Sequence, residues 1–264
     1  MGTWLHPDVK NTELLLPDHN IYRRDRNSHG GGVMIGIAKS LSSNVIAVSK
    51  ITETIFCQIF QKGKLAIIVA CTYRPPDTGP IYAQAVCQEL ADMKSKFKNS
   101  TFLLGGDFNL PDINWTTEAI DSHQYLKEIN TTFLGSFHDL GLKQIITSPT
   151  RFKYNFFDLA DKRIKTKSNA DGTVLDLFLT NSENLVESSS VVSGIGDHEF
   201  VTVKTRLIVP HKKPPRRSIL LWKRANVQKL RQDASNFNHL FTNSHRHETD
   251  INKLWNCMKK TSSL

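Results

Sequence analysis

The chain has 264 residues, 39% hydrophobic and 22% charged, which is the make-up of a globular protein with one large domain and an appendage. It holds no run of roughly 18–20 apolar residues, no secretory or transit leader and no C-x-x-C pair among Cys57, Cys71, Cys87 and Cys257, so the sequence predicts a nuclear or cytoplasmic protein that is not secreted, uses no membrane and binds no zinc. The net charge of +9 is concentrated in residues 204–264, which carry 14 Lys and Arg against 3 Asp and Glu; this excess suits a polyanion, nucleic acid first, with a solvated basic linker as the plain alternative.

In chain order, Tyr22-Arg23-Arg24-Asp25-Arg26 reads as a charged loop, and residues 32–38 as a strand leaving a glycine-rich turn. Residues 54–60 and 65–71 read as a hairpin around Lys62-Gly63-Lys64, stopped by Arg74-Pro75-Pro76. Val86, Leu90, Met93 and Phe97 recur at helical spacing and predict a helix over 80–98. Residues 101–104 form a short buried strand ending at Gly105-Gly106. A second helix is predicted over 122–138, with Leu126, Ile129 and Phe133 on one face, and further strands over 142–147, 174–179, 186–192 and 200–207. The segment Pro210-His211-Lys212-Lys213-Pro214-Pro215-Arg216-Arg217 reads as a stiff basic linker. The expected organisation is therefore a domain at 1–208, a linker at 209–223, and a partly helical, incomplete connector at 224–264.

Candidate chemistry sits at strand ends. Glycine lets the chain turn sharply at Gly106-Asp107-Phe108-Asn109, and Asp107 and Asn109, two apart in extended chain, point to one side. The carboxylate could hold an ion or take a proton from water, and the amide could orient a nucleophile or phosphate; an Asx-turn is the plain reading. Asp176, inside Leu175-Asp176-Leu177-Phe178-Leu179, is costly in so apolar a strand unless paired. An imidazole is a fitting partner, because a carboxylate on one ring nitrogen fixes the tautomer and raises the basicity of the other. His198, after Gly196-Asp197, is the candidate imidazole; a core or capping histidine is the plain reading. The Tyr73 hydroxyl could bond a phosphate oxygen and Arg74 a nucleic-acid backbone.

Taken in order, Thr72-Tyr73-Arg74-Pro75-Pro76, Gly105-Gly106-Asp107-Phe108-Asn109, Thr150-Arg151, Leu175-Asp176-Leu177-Phe178-Leu179-Thr180-Asn181 and Gly196-Asp197-His198 resemble the endonuclease/exonuclease/phosphatase superfamily. Tyr-Arg-Pro-Pro and Leu-Asp-Leu-x-x-Thr-Asn narrow the resemblance to the apurinic-endonuclease-like domain of non-LTR (LINE-type) retrotransposons, over residues 1–208. The resemblance implies a two-sheet α/β sandwich with a basic C-terminal extension, a Mg²⁺ cofactor (or Mn²⁺) and DNA as partner, with no obligate protein partner evident. It implies that Asp107 activates water or protonates the leaving oxygen, Asn109 positions it, and His198 contacts the scissile phosphate, oriented by Asp176. Asp197 and Asp107 become metal-side carboxylates, Tyr73 a phosphate contact, and Arg74 and Arg151 DNA contacts. The product would be a nicked strand with a 3′-hydroxyl that primes reverse transcription.

Two departures accompany the resemblance. Gly2-Thr3-Trp4-Leu5 stands where the family has Glu-Thr-Trp-Leu, so a metal-binding glutamate is replaced by Gly2. The family's first strand, which carries an asparagine, is not found, and an exposed sheet edge is expected. Weak or no DNA nicking is therefore expected of the chain as written. A non-catalytic nucleic-acid-binding remnant, or a lipid or inositol phosphate phosphoesterase of the same superfamily, are the alternatives.

Overall fold

The computed structural model describes residues 2–14, 18–26, 30–61, 63, 65–152, 154–159, 162–167, 172–194, 196–207, 226–246 and 248–261. The chain divides into two compact units, Met1–Pro214 and Pro215–Leu264. The expected linker at 209–223 lies outside the described residues.

In the first unit, β1 (His19–Arg24) pairs antiparallel with β2 (Val33–Ala38). The segment read as a charged loop thus contributes three residues to a strand. Its charges are tolerated there because the Arg23 guanidinium is fully engaged, donating to the carbonyls of His6 and Val9 and to the Asp25 carboxylate. β3 (Ser43–Val48), β4 (Glu53–Ile59) and β5 (Ile67–Tyr73) follow as antiparallel neighbours. α1 (Pro80–Lys96) then carries the chain over to β6 (Thr101–Asp107), parallel to β5. Proline at the first helical position suits the start of α1, where its missing N–H leaves no intrahelical bond unmade.

After the short pair β7 (Ile113–Asn114) and β8 (Ala119–Ile120) comes α2 (Lys127–Asp139). α2 starts five residues later than the periodicity predicts, because the Asp112 carboxylate holds the preceding segment. It accepts from Ser122 Oγ, the Gln124 and Tyr125 backbone N–H groups and Asn130 Nδ2. β9 is only Lys143–Gln144 rather than 142–147. The Gln144 side chain substitutes for further ladder, its Oε1 accepting from Ile146 N and Phe178 N. The hairpin of β10 (Tyr154–Leu159) and β11 (Lys162–Lys167) was not foreseen. β12 (Asp176–Thr180) pairs antiparallel with both β6 and β9. β13 (Val186–Val192) and β14 (Phe200–Thr205) form a further antiparallel pair.

The main sheet has the order β3-β4-β5-β6-β12-β9. Strand alternation sends side chains to two faces. On one, Phe56, Ile68, Ala70, Phe102, Leu104 and Leu179 pack against Val86, Leu90 and Met93 of α1 and Ile129, Phe133 and Phe137 of α2. On the other, Ile55, Cys57, Ile59 and Ile67 pack against Val33, Ile35 and Ile37 of β2. Each buried Val, Leu, Ile, Phe or Met among them contributes about 1.5–3 kcal/mol by leaving water. The result is an α/β sandwich with helices outside one sheet face and a second layer of strand over the other.

The second unit contains α3 (Val227–Ser244) and α4 (Ile251–Thr261). Asn226 caps α3, its side chain accepting from Lys229 N–H. Among the described residues no helix is long and apolar enough to cross a membrane.

Candidate active site

The sheet register brings polar residues onto one rung. Glu53 of β4 stands opposite Tyr73 of β5, Tyr73 opposite Asp107 of β6, and Asp107 opposite Asp176 of β12. Four adjacent strands therefore present a glutamate, a tyrosine and two aspartates at the same sheet end. Gly106 makes this rung possible. A Cβ at its position would lie 1.8 Å from the Thr72 carbonyl oxygen, and its φ is +156°. Only glycine lets β5 and β6 approach so closely there.

Asp107 ends β6 and is 4% exposed. Its Oδ1 accepts from Asn109 N–H at 3.1 Å, which fixes the turn that follows the strand. Asn109 is in the left-handed region, φ +48°, a conformation asparagine tolerates better than most residues. Its Nδ2 donates to the Arg74 carbonyl at 2.7 Å.

The other half of the site is held by Thr150. Its Oγ1 accepts from Leu175 N–H at 3.0 Å and Asp176 N–H at 2.9 Å, while its carbonyl accepts from Glu199 N–H at 2.7 Å. One threonine thus ties the start of β12 to the turn carrying His198. That turn is tight: a Cβ on Gly194 would lie 2.0 Å from the His198 carbonyl oxygen.

Across this frame His198 Nδ1 donates to Asp176 Oδ2 at 2.6 Å, and Nε2 lies 3.9 Å from Asp107 Oδ2. The imidazole therefore stands between two carboxylates, oriented by one and aimed toward the other. Burial would raise the Asp176 pKa, but the hydrogen bond from His198 and the other donors outweigh it and hold it below the usual carboxylate range. Asp107 goes the other way: burial pushes its carboxyl up, and the Asp176 charge adds to this. The two acids are thus electrostatically unlike, one fixed as an anion and one more readily protonated. Burial, then the Asp107 carboxylate, push the Tyr73 hydroxyl up, so it stays a donor at neutral pH. Asp107, Asp176 and His198 each offer one ligand atom, all within 4.8 Å of one another, and could hold a divalent ion.

The structure does not bring every expected residue to this cluster. Asp197 is half-exposed and outside the group of three, and its carboxylate accepts from Arg151 Nε at 3.0 Å. Arg151 is likewise half-exposed and meets Asp197. Arg74 is corrected outright: it is 0% exposed, and its guanidinium donates to the carbonyls of Asn109 and Thr78, so it is no surface contact for DNA. At Gly2 a Cβ would lie 2.5 Å from Gly31 Cα, so the backbone leaves no room for a side chain.

Two contributions were missed by sequence reasoning. Thr150 belongs to a segment that carries the family resemblance but was given no role, because that role depends on elements distant in sequence. Glu53 is buried beside Tyr73, ion-paired to Arg26 Nη1 at 3.1 Å and accepting from Gly32 N–H. An acid at the start of an apolar strand was its only mark, a weaker one than that of Asp176, which was read inside its strand. Asp107, Asp176 and His198 line a cleft of about 540 Å³, whose apolar walls include Val33, Met34, Leu177, Phe178, Phe200 and Val201.

A family model described as endonuclease-reverse transcriptase matches residues 67–202. No curated protein matches the chain. Among solved structures, the endonuclease domain of TRAS1, a telomere-specific non-LTR retrotransposon, is similar at 15% identity and TM-score 0.52, covering 73% of this chain and 82% of that one. A 3′ phosphatase, NExo from Neisseria, bound to a product DNA hairpin, is similar at 13% identity and TM-score 0.50, covering 78% and 86% respectively. At these identities the likeness is one of fold.

Proposed function

The chain belongs to the endonuclease-reverse transcriptase family, and from that premise we propose that it is a metal-dependent phosphodiesterase of retrotransposon origin that nicks DNA. The observation that carries the reading is the row Asp176–His198–Asp107, a carboxylate orienting an imidazole that faces a second, more protonatable carboxyl. In this reading Asp176 accepts from His198 Nδ1 and orients the ring, and Nε2, when it too carries a proton, donates to a phosphate oxygen. Asp107 takes the proton of the attacking water or gives one to the leaving oxygen, while Asn109 and Tyr73 position water and phosphate. Water adds to phosphorus as the bond to the 3′ oxygen breaks, leaving a 3′-hydroxyl and a 5′-phosphate.

Asp107 and Asp176 supply the hard oxygen donors that Mg²⁺ or Mn²⁺ prefers, with His198 beside them. When bound, such an ion neutralises phosphoryl oxygens and stabilises the leaving oxygen. With Gly2 where the family has glutamate, the expected rate is low. Arg151, at the rim, is the DNA contact in this reading.

A supercoiled-plasmid assay tests it. Slow, divalent-dependent conversion to open circles is expected, and none with His198→Ala. No conversion by the wild-type chain, or conversion that His198→Ala leaves unchanged, would sink the reading.

A further inference from the structure

Among the described residues Arg74 is the largest fully buried side chain, and it carries a charge. Removing an ion from water costs several kcal/mol even after relaxation, and a neutral side chain of similar size would fill the space without that cost. Its surroundings show what the guanidinium does. Nη1 donates to the Asn109 carbonyl at 2.9 Å and reaches the Phe108 carbonyl at 3.5 Å, and Nη2 donates to the Thr78 carbonyl at 3.0 Å. The Tyr125 ring lies 4.7 Å from the guanidinium carbon, an aromatic face that offsets part of the lost hydration.

The contact with Asn109 is reciprocal. Asn109 Nδ2 donates to the Arg74 carbonyl at 2.7 Å, while the Arg74 guanidinium donates to the Asn109 carbonyl. The Arg74 backbone N–H also donates to the Asp107 carbonyl at 2.9 Å. The Asn109 amide is thus held by the Arg74 main-chain carbonyl, while the guanidinium grips the Asn109 main-chain carbonyl and fixes the left-handed backbone from which that amide reaches back. A planar fork of donors can span adjacent carbonyls in this way, and a lysine ammonium cannot hold the same plane.

We propose that Arg74 is a positioning residue for the reaction assigned above: it sets the Asn109 carboxamide from beneath, by a reciprocal side-chain-to-backbone lock, and touches neither DNA nor the phosphate. The assignment rests on the nuclease reading for its catalytic consequence, but the lock itself can be measured without turnover.

Two measurements decide it. In the wild-type protein, the Asn109 side-chain amide resonance, identified by its loss in Asn109→Asp, should show one slowly exchanging proton. Arg74→Lys keeps the acceptor carbonyl but loses the grip on the Asn109 backbone, so that protection should fall several-fold while backbone amides of the core sheet stay protected; unchanged protection in the folded variant overturns the proposal. In the plasmid assay Arg74→Lys should lower kcat about 10- to 100-fold with KM unchanged, the size of effect that misplacing a reacting group produces. Asn109→Ala should cost about the same, and the double variant no more than either alone. Free exchange of the Asn109 amide in the wild type overturns the proposal, and does so even if Arg74→Lys fails to fold. A raised KM with kcat unchanged also overturns it, because the guanidinium would then be meeting DNA, as do losses that multiply. A wild-type chain that does not nick refutes the nuclease reading instead, and amide exchange alone then decides whether Arg74 holds Asn109.

Discussion

Gly106 shows how much of the site hangs on single atoms. It lies one residue before Asp107, where β6 passes so near β5 that a methyl group would overlap the Thr72 carbonyl. Gly106→Ala must therefore push the strands apart at the rung carrying Tyr73 and Asp107. Overpacking of this kind costs typically 1–3 kcal/mol, and the added backbone strain puts the expected loss near the top of that range, about 3 kcal/mol. Urea unfolding measures it, and an unchanged midpoint would show that β5 and β6 are not held as tightly as described. The sequence marked position 106 as a sharp turn ending the strand, whereas β6 runs on through Asp107 and the glycine serves the close approach of β5. Asp176 was legible, as an acid that an apolar strand could tolerate only with a partner. Arg74 and Asp197 were not. Whether a charged residue beside a strand end turns inward or outward depends on what lies beneath it, and for Arg74 that is a carbonyl cluster built by residues 78 and 108–109.

The boundaries of elements are set by side chains that compete with the backbone ladder. The Asp112 carboxylate, 1% exposed, binds the segment leading into α2 and is itself a titrating switch on stability. Burial would raise its pKa, but the hydrogen bonds from Ser122, Tyr125, Gln124 and Asn130 outweigh this and lower it. A depressed folded-state pKa contributes stability above the unfolded value, about 3.9, and that contribution is lost as pH falls through the folded value. Asp112→Asn should thus cost about 1–3 kcal/mol at neutral pH, the penalty for disturbing a buried, charge-assisted hydrogen-bond set. The difference from wild type should shrink as the pH drops below about 4. Denaturant melts across that range test this, and a pH-independent difference would mean that the carboxylate charge is not what holds the segment. Helical and strand periodicity found α1, β4 and β5 because their faces are continuous. It misplaced the start of α2 and the length of β9 because Asp112 bonds to groups 10 to 18 residues away and Gln144 to Phe178, 34 residues away, which no local pattern reports.

At the scale of the whole molecule, strand order was the least legible feature. β12 lies between β6 and β9 although β10 and β11 separate it from β9 in sequence, and such non-local pairing leaves no periodic trace. Charge distribution, by contrast, is read directly. Residues 1–203 carry 20 Lys and Arg against 22 Asp and Glu, so the part of the chain bearing the cluster has no net attraction for DNA. If DNA is the partner, the basic excess after residue 203 must supply much of the sequence-independent affinity. Each phosphate neutralised releases condensed counterions and steepens the fall of affinity with salt by about 0.9 in the log–log slope. Replacing Lys212, Lys213, Arg216 and Arg217 together by glutamine, in the full chain, should therefore reduce that slope by up to about 3.6. The rate of nicking at saturating DNA should not change, because none of the four belongs to the cluster on the sheet rung. Fluorescence anisotropy with a duplex over a range of salt concentrations gives the slope. A slope unaltered by the four replacements would reduce this segment to a solvated linker and leave DNA capture to Arg151 and its neighbours at the rim of the sheet.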